Sequence, residues 1–318
     1  MMLKLSSRLI ATLALALTAT LGLSPTASAD QTKPLNVVAS FSILADIVEQ
    51  VGGPHVKVTS LVGANADAHA FNPTPADAKL LASADLVVVN GLGFEGWLDR
   101  LIKASGFKGK PVVASQGVKA IRTKSQGHSH GHSHGHSHGH NHGSVDPHAW
   151  QDLANGRIYA LNIQKALVAA LPAHAADIKA RTQAYVAELD ALNQKIKAEF
   201  AAIPPPERRV LTSHDAFAYF SQAYGLQFLA VQGFTTDQEP SAKHVADLIR
   251  KIRADKVRVL FVENMSDPRL LEQIASETSV RIGGELYSDA LSAPGTAADT
   301  YLKMMGTNAQ TILMALQQ

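Results

Sequence analysis

Short apolar runs alternate along the chain with stretches that repeat apolar positions every three or four residues. The runs at 36–39, 57–61, 86–90 and 111–114 read as buried strands, and the stretches at 43–51, 76–83 and 96–104 read as helices between them. The alternation returns later, with strands over 209–212, 228–231, 259–262 and 280–282 and helices over 216–224, 242–254, 268–278 and 300–316. Continuous apolar strands alternating with helices predict parallel sheets covered on both faces. The expected fold class is therefore α/β, with two doubly wound lobes built on parallel-type sheets.

Between the two alternating regions lies a long helical stretch. Residues 173–200 contain no Gly or Pro, Pro172 stands at the start, and Pro204, Pro205 and Pro206 end the run. Such a helix is about 40 Å long at 1.5 Å per residue. That length suits one rigid helix lying along both lobes, although the pattern alone also fits a surface helix of the first lobe. The expected organisation is a signal peptide at 1–29, an N-terminal α/β lobe at 30–172, a linking helix at 173–203 and a C-terminal α/β lobe at 204–318.

The signal peptide is read from Lys4 and Arg8, the apolar run 9–23 and the small residues Ala27, Ser28 and Ala29, with cleavage expected before Asp30. No second apolar run is long enough to cross a bilayer, so the mature chain is expected to have no membrane span and to be periplasmic and soluble. The sequence has no Cys, which excludes disulfides, thiolate metal sites and a lipid-bearing Cys. With 18% charged residues and a net charge of +2, nothing points to a nucleic-acid partner.

Of the 14 histidines, eight crowd one segment. His128, His130, His132, His134, His136, His138, His140 and His142 alternate mainly with Gly and Ser inside 127–143. A stretch with so little to bury is expected to be disordered without metal. Its imidazoles are expected to form secondary metal sites of modest affinity, because each bound ion must order the loop it uses.

Among the remaining histidines, three sit in distinctive loops. His69 lies between Asp67 and the prolines Pro73 and Pro75, His148 lies between Pro147 and Trp150, and His214 follows the first strand of the second lobe. His55, His174 and His244 read as ordinary surface or capping residues. Asp289 follows the last strand, and by spacing alone Asp215 or Glu263 would serve equally as a carboxylate ligand. Loops at strand C-termini of doubly wound sheets are where ligands bind. Two facing lobes would bring His69 and His148 to His214 and Asp289 in the cleft between them. Three imidazoles and a carboxylate suit Zn²⁺ in a closed tetrahedral site.

The segments around Asp67, His69 and Phe71, around Asn90, Glu95 and Trp97, around Asp146, His148 and Trp150, around Ser213, His214 and Phe217, and around Glu263, Asn264 and Asp289, together with the histidine stretch, carry a resemblance. Over essentially the whole mature chain, the sequence resembles the metal-binding solute-binding proteins of ABC importers, the cluster A-I group, and within it the zinc-binding ZnuA and AztC types. The resemblance implies metal ligands at His69, His148, His214 and Asp289, and two lobes bridged by one rigid helix. Manganese members typically carry a carboxylate at the third ligand position, so His214 implies zinc. Phe71 replaces a common hydroxyl-bearing aromatic residue, and the Cys pair of some zinc members is missing. Both departures imply the Cys-free AztC-like branch.

The function so implied is high-affinity capture of periplasmic Zn²⁺ and delivery to an ABC permease, by a monomer that is not an enzyme. A periplasmic zinc metallochaperone would fit as donor. The competing readings are a manganese or iron component of the same importer family, and metal storage through the histidine stretch. A zinc hydrolase is disfavoured, because no His-Glu-x-x-His helix is present and Asp289 would close the coordination shell. Asn90, Glu95 and Glu263 are candidates to orient imidazole N–H groups.

Overall fold

The computed structural model describes residues 33–122, 145–236 and 240–318. The expected signal peptide at 1–29 and the histidine-rich stretch at 127–143 lie outside the described residues.

Two four-stranded parallel sheets are formed. The N-terminal sheet comprises β1 (Leu35–Phe41), β2 (Val56–Val62), β3 (Leu86–Val89) and β4 (Val112–Val113), in the order β2-β1-β3-β4. The C-terminal sheet comprises β5 (Arg209–His214), β6 (Gln227–Gln232), β7 (Val259–Glu263) and β8 (Arg281–Leu286), in the order β6-β5-β7-β8. The two orders are equivalent. In each sheet the chain runs to one side of its first strand and then crosses to the other, which leaves a crevice at the strand C-termini. In the second sheet the strands flanking that crevice are β5 and β7, and their last residues are His214 and Glu263.

The connecting helices of the first lobe are α1 (Ser42–Gly52), α2 (Pro75–Ala82) and α3 (Leu98–Ser105). Thr74 and Asp77 form a reciprocal capping box at the start of α2, with Pro75 at its first helical position. A further helix, α4 (Leu153–Ala170), follows His148. The long helix is α5 (Ala175–Ala201), and Pro172–His174 forms a separate 3-10 turn before it. Its buried residues Ile178, Thr182, Tyr185, Leu189, Asn193, Ile196 and Phe200 recur every three or four positions, so one face is covered along its length. That face meets α1 and α4 on one side, and α6 (Ala218–Tyr224) and α9 (Tyr301–Leu316) on the other. The helices α7 (Ala242–Ala254) and α8 (Arg269–Thr278) cover the far face of the second sheet, over a small core that includes Leu211, Leu260 and Ile274.

The main core is continuous across both lobes. It runs from Val37 and Ile47 through Trp150, Leu189 and Phe200 to Phe217, Phe261 and Met305. Residues 287–300 cross from β8 back over the first lobe. The Ser288 carbonyl accepts from Trp150 Nε1 at 2.8 Å and Gln151 Nε2 at 2.7 Å. Ser42 Oγ accepts from the Leu291 N–H at 3.0 Å, and buried Asp46 accepts from the Tyr301 N–H at 2.8 Å. Asp289 therefore belongs to the second half of the sequence but is held by groups of the first.

Where α4 meets this crossing, packing is tight. A Cβ at Gly156 would lie 2.6 Å from Tyr301 Oη, on a ring that is fully buried. Helix propensity favours alanine over glycine by about 1 kcal/mol, but overpacking against an immobile ring costs about 1–3 kcal/mol. Gly156→Ala is thus expected to lower stability, and an unchanged or raised denaturation midpoint would contradict this account of the contact.

Candidate metal centre

Four side chains from four separate segments meet at one point. His69 comes from the loop after β2, His148 from the residue preceding the 3-10 turn Ala149–Gln151, His214 from the end of β5, and Asp289 from the crossing segment. One ligand atom from each lies within 4.8 Å of every other. His69 Nε2 is 3.2 Å from His148 Nε2 and 3.2 Å from Asp289 Oδ2, which is also 3.2 Å from His214 Nε2. His148 Nε2 is 3.7 Å from Asp289 Oδ1. Neighbouring donors around a tetrahedral ion with bonds of 2.0–2.1 Å stand about 3.3 Å apart, so the cluster has the dimensions of one coordination shell. The side chains of His148, His214 and Asp289 are fully buried, and that of His69 is 2% exposed. Both Asp289 oxygens and His214 Nε2 are buried without a hydrogen-bonding partner in the protein. Buried polar atoms are rarely left so, and three converging at one place mark a position suited to a cation.

Each loop is fixed locally. Asp67 Oδ1 accepts from the backbone N–H groups of His69 at 2.8 Å and Ala70 at 3.3 Å, which turns the first loop. Trp97 Nε1 donates to the Ala68 carbonyl at 2.9 Å, and Phe94 stands edge-on to the His69 ring at 4.8 Å. Asp146 Oδ1 accepts from the His148 backbone N–H at 2.9 Å and lies 2.7 Å from its Nδ1, setting both backbone and ring. Glu263 Oε2 stands 2.6 Å from His214 Nδ1, while Oε1 accepts from the His214 N–H at 2.9 Å. A carboxylate behind each of these two imidazoles turns Nε2 toward the centre.

Of the three residues expected to orient imidazoles, only Glu263 touches one. Asn90 and Glu95 are corrected to another task. Glu95 accepts from Ser40 Oγ at 2.7 Å, the Asn90 N–H at 2.5 Å and the Gly91 N–H at 3.1 Å, and so ties the C-terminal ends of β1 and β3 together. Asn90 Nδ2 donates to the carbonyls of Gly91 and Pro147, both at 2.9 Å, and its Oδ1 accepts from Tyr159. They hold the loop that carries His148 rather than its ring. Sequence reasoning missed Asp146, whose signal was an acidic residue two positions before a ligand histidine. Asp215, an alternative by spacing, is not in the cluster. His55 stacks on His174 at 4.1 Å and contacts Asp177 at 2.8 Å, remote in sequence from these loops, and the His244 N–H donates to Ser241 at a helix start.

The charges are strongly coupled. Burial alone pushes the His214 imidazole down, but Glu263 and Asp289 outweigh it and hold the ring well above the usual imidazole range. Burial pushes Asp289 up, and His214 and His148 outweigh it, so the carboxyl lies well below its usual range. Without metal, His214 therefore holds its proton to higher pH than a free imidazole does. Below that raised value each bound ion must displace the proton, so apparent affinity should rise with pH, about tenfold per unit for one proton, and flatten above it. Titrations in buffers of different ionisation enthalpy count the released proton. An affinity constant between about pH 6 and 8 would contradict this coupling.

The sequence matches the family described as zinc-uptake complex component A, periplasmic (ZnuA), over residues 37–315. It is 32% identical over 299 residues to the manganese ABC transporter substrate-binding lipoprotein PsaA of Streptococcus pneumoniae, covering 92% of each chain. It is 31% identical over 284 residues to the iron ABC transporter substrate-binding lipoprotein MtsA of Streptococcus pyogenes serotype M1, covering 87% of each. Among solved structures, the periplasmic zinc-binding protein TroA from Treponema pallidum superposes with a TM-score of 0.78 at 30% identity, over 89% of this chain and 99% of that one. Fold and relatives together define the substrate-binding component of a metal ABC importer, a class of binding proteins and not of enzymes. The chain belongs to the zinc-uptake complex component A family.

Proposed function

We propose that this protein captures Zn²⁺ in the periplasm, holds it on His69, His148, His214 and Asp289, and delivers it to the permease of an ABC importer. The observation that carries the reading is the donor set: one atom from each of three imidazoles and one carboxylate, all within 4.8 Å of one another, with three separations of 3.2 Å. Zinc accepts four such ligands in a closed shell, whereas manganese favours a more oxygen-rich, six-coordinate one. With Asp146 and Glu263 behind two of the rings, a divalent ion would face three nearby carboxylates, enough to offset its charge in a buried site. No helix among the described residues is long and apolar enough to cross a membrane.

Relatives named for manganese and iron favour a second reading, with one of those ions as cargo. Displacement in the test tube discriminates poorly, because zinc outcompetes manganese at most nitrogen–oxygen sites. Transport decides. Cells lacking the protein are expected to grow poorly when zinc is chelated, and to recover with added zinc but not with manganese or iron. Recovery with manganese or iron alone would sink the zinc reading.

The histidine stretch 127–143 is proposed to collect zinc at weaker, additional sites, loaded from solution or from a metallochaperone. Its deletion should leave one tight site, whereas loss of all tight binding would favour storage through that stretch.

A further inference from the structure

Beside the ligand loop of His69, the first lobe carries a groove of about 710 Å³ between α2 and α3. Its floor is built from Ala78, Trp97, Leu101 and Ala104, its rim from residues 72–75, and two cations, Lys79 and Arg100, stand along it. We propose that this groove docks a carboxylate-bearing segment of the importer's membrane component, and that docking there loosens the hold of His69 on the metal. The proposal rests on the importer reading above and adds the surface and the chemistry of the partner.

The first argument is charge. Lys79 and Arg100 are exposed, and neither has an ion-pair partner among the described residues. What sets this pair apart is that both stand along one apolar groove. Asp77, the nearest acid on α2, is already engaged by the Thr74 backbone and hydroxyl in the capping box. Two cations along a groove floored by Trp97 and Leu101 and flanked by Ala78 and Ala104 fit an extended chain that presents carboxylates, since an acidic segment pairs with both cations while its apolar positions seat on the floor.

The second argument is position. Trp97 is both the floor of the groove and a support of the ligand loop. Its Nε1 donates to the Ala68 carbonyl, on one side of His69, and its ring meets Phe71 edge-on at 4.8 Å, on the other side. The rim at 72–75 is the direct continuation of the same loop into α2. A chain that seats against Trp97 and this rim therefore presses on the residues that fix the His69 imidazole. Binding that favours a displaced loop must, by linkage, weaken the metal by the same factor. A membrane component that receives the ion gains from contact at this place, because capture and release are then tied to docking.

The test uses the full mature protein with its own importer in proteoliposomes and zinc as the cargo. The double variant Lys79→Glu/Arg100→Glu should bind zinc within about twofold of wild type and melt at the same temperature, while zinc uptake at limiting protein falls about tenfold. The wild-type rate should also fall as salt rises, since exposed charges are screened. Lys79→Ala/Arg100→Ala should fall less, and Lys195→Glu/Lys251→Glu, on other surfaces, should match wild type. Adding the importer to zinc-loaded wild type should accelerate zinc transfer to a chelator, and Trp97→Phe should blunt that acceleration. Uptake by the Lys79→Glu/Arg100→Glu variant equal to wild type would overturn the docking site alone. No uptake with the wild-type protein would overturn the importer reading and the docking site with it. A zinc-dependent dimer of the wild-type chain that the double variant abolishes would reassign the groove to self-association and overturn the proposal.

Discussion

His214→Ala should weaken zinc binding by a factor on the order of a hundred to a thousand, read by competition against a chromophoric chelator. Structural zinc sites with four protein ligands bind with about 10–16 kcal/mol, so one ligand accounts for roughly 3–4 kcal/mol. His214 is the last residue of β5 and the ligand held most firmly by the second sheet, through its own backbone and through Glu263. Alanine there removes the nitrogen and leaves Glu263 Oε2 buried without the ring it faces, while Oε1 keeps the backbone N–H, so the metal-free variant should be less stable as well. Glu263→Gln keeps the ligand and weakens its orientation, and should cost only about 10–100-fold. This ordering separates a ligand from its support. A His214→Ala protein that binds zinc within threefold of wild type would show that the ion sits elsewhere.

Saturating zinc should raise the melting temperature of the metal-free protein by about 10 °C. Zinc at a thousand times its dissociation constant stabilises the folded state by about 4 kcal/mol, and for a domain of this size each kcal/mol moves the midpoint by roughly 2–4 °C. The structural reason is that the four donors come from four separate segments, two in each half of the chain, so unfolding any one of these segments dismantles the site. The measurement belongs on a chain lacking residues 127–143, where added imidazoles cannot bind zinc in the unfolded state and mask the effect. A shift that persists in full when His214→Ala is introduced would contradict the link between this cluster and stability.

The fold was legible because its strands are apolar throughout and its helices amphipathic, which fixes a parallel sheet covered on both sides. The long helix was legible because prolines stand before and after an uninterrupted run, and Pro172 shortened it at the start by taking a 3-10 turn. The sequence pattern gave no range for α4, whose start carries Asn155 and Gly156. Gly156 is there because Tyr301, far along the chain, leaves no room for a side chain. His69, His148 and His214 stood out in the sequence by the loops around them, whereas spacing left the choice between Asp289, Asp215 and Glu263 open. That choice depends on residues 287–300 folding back onto Trp150 and Gln151, a long-range contact that no local pattern encodes. Asn90 and Glu95 were read as facing an imidazole because they are polar and near the site, whereas their hydrogen bonds go to backbone groups, to Ser40 and to Tyr159.

The most direct test is anomalous diffraction at the zinc edge from crystals of the zinc-loaded protein. The expected result is one strong peak within about 2.0–2.2 Å of Nε2 of His69, His148 and His214 and of an Asp289 oxygen. A peak bound by other residues, or one that leaves out His214 or Asp289, would contradict the assignment.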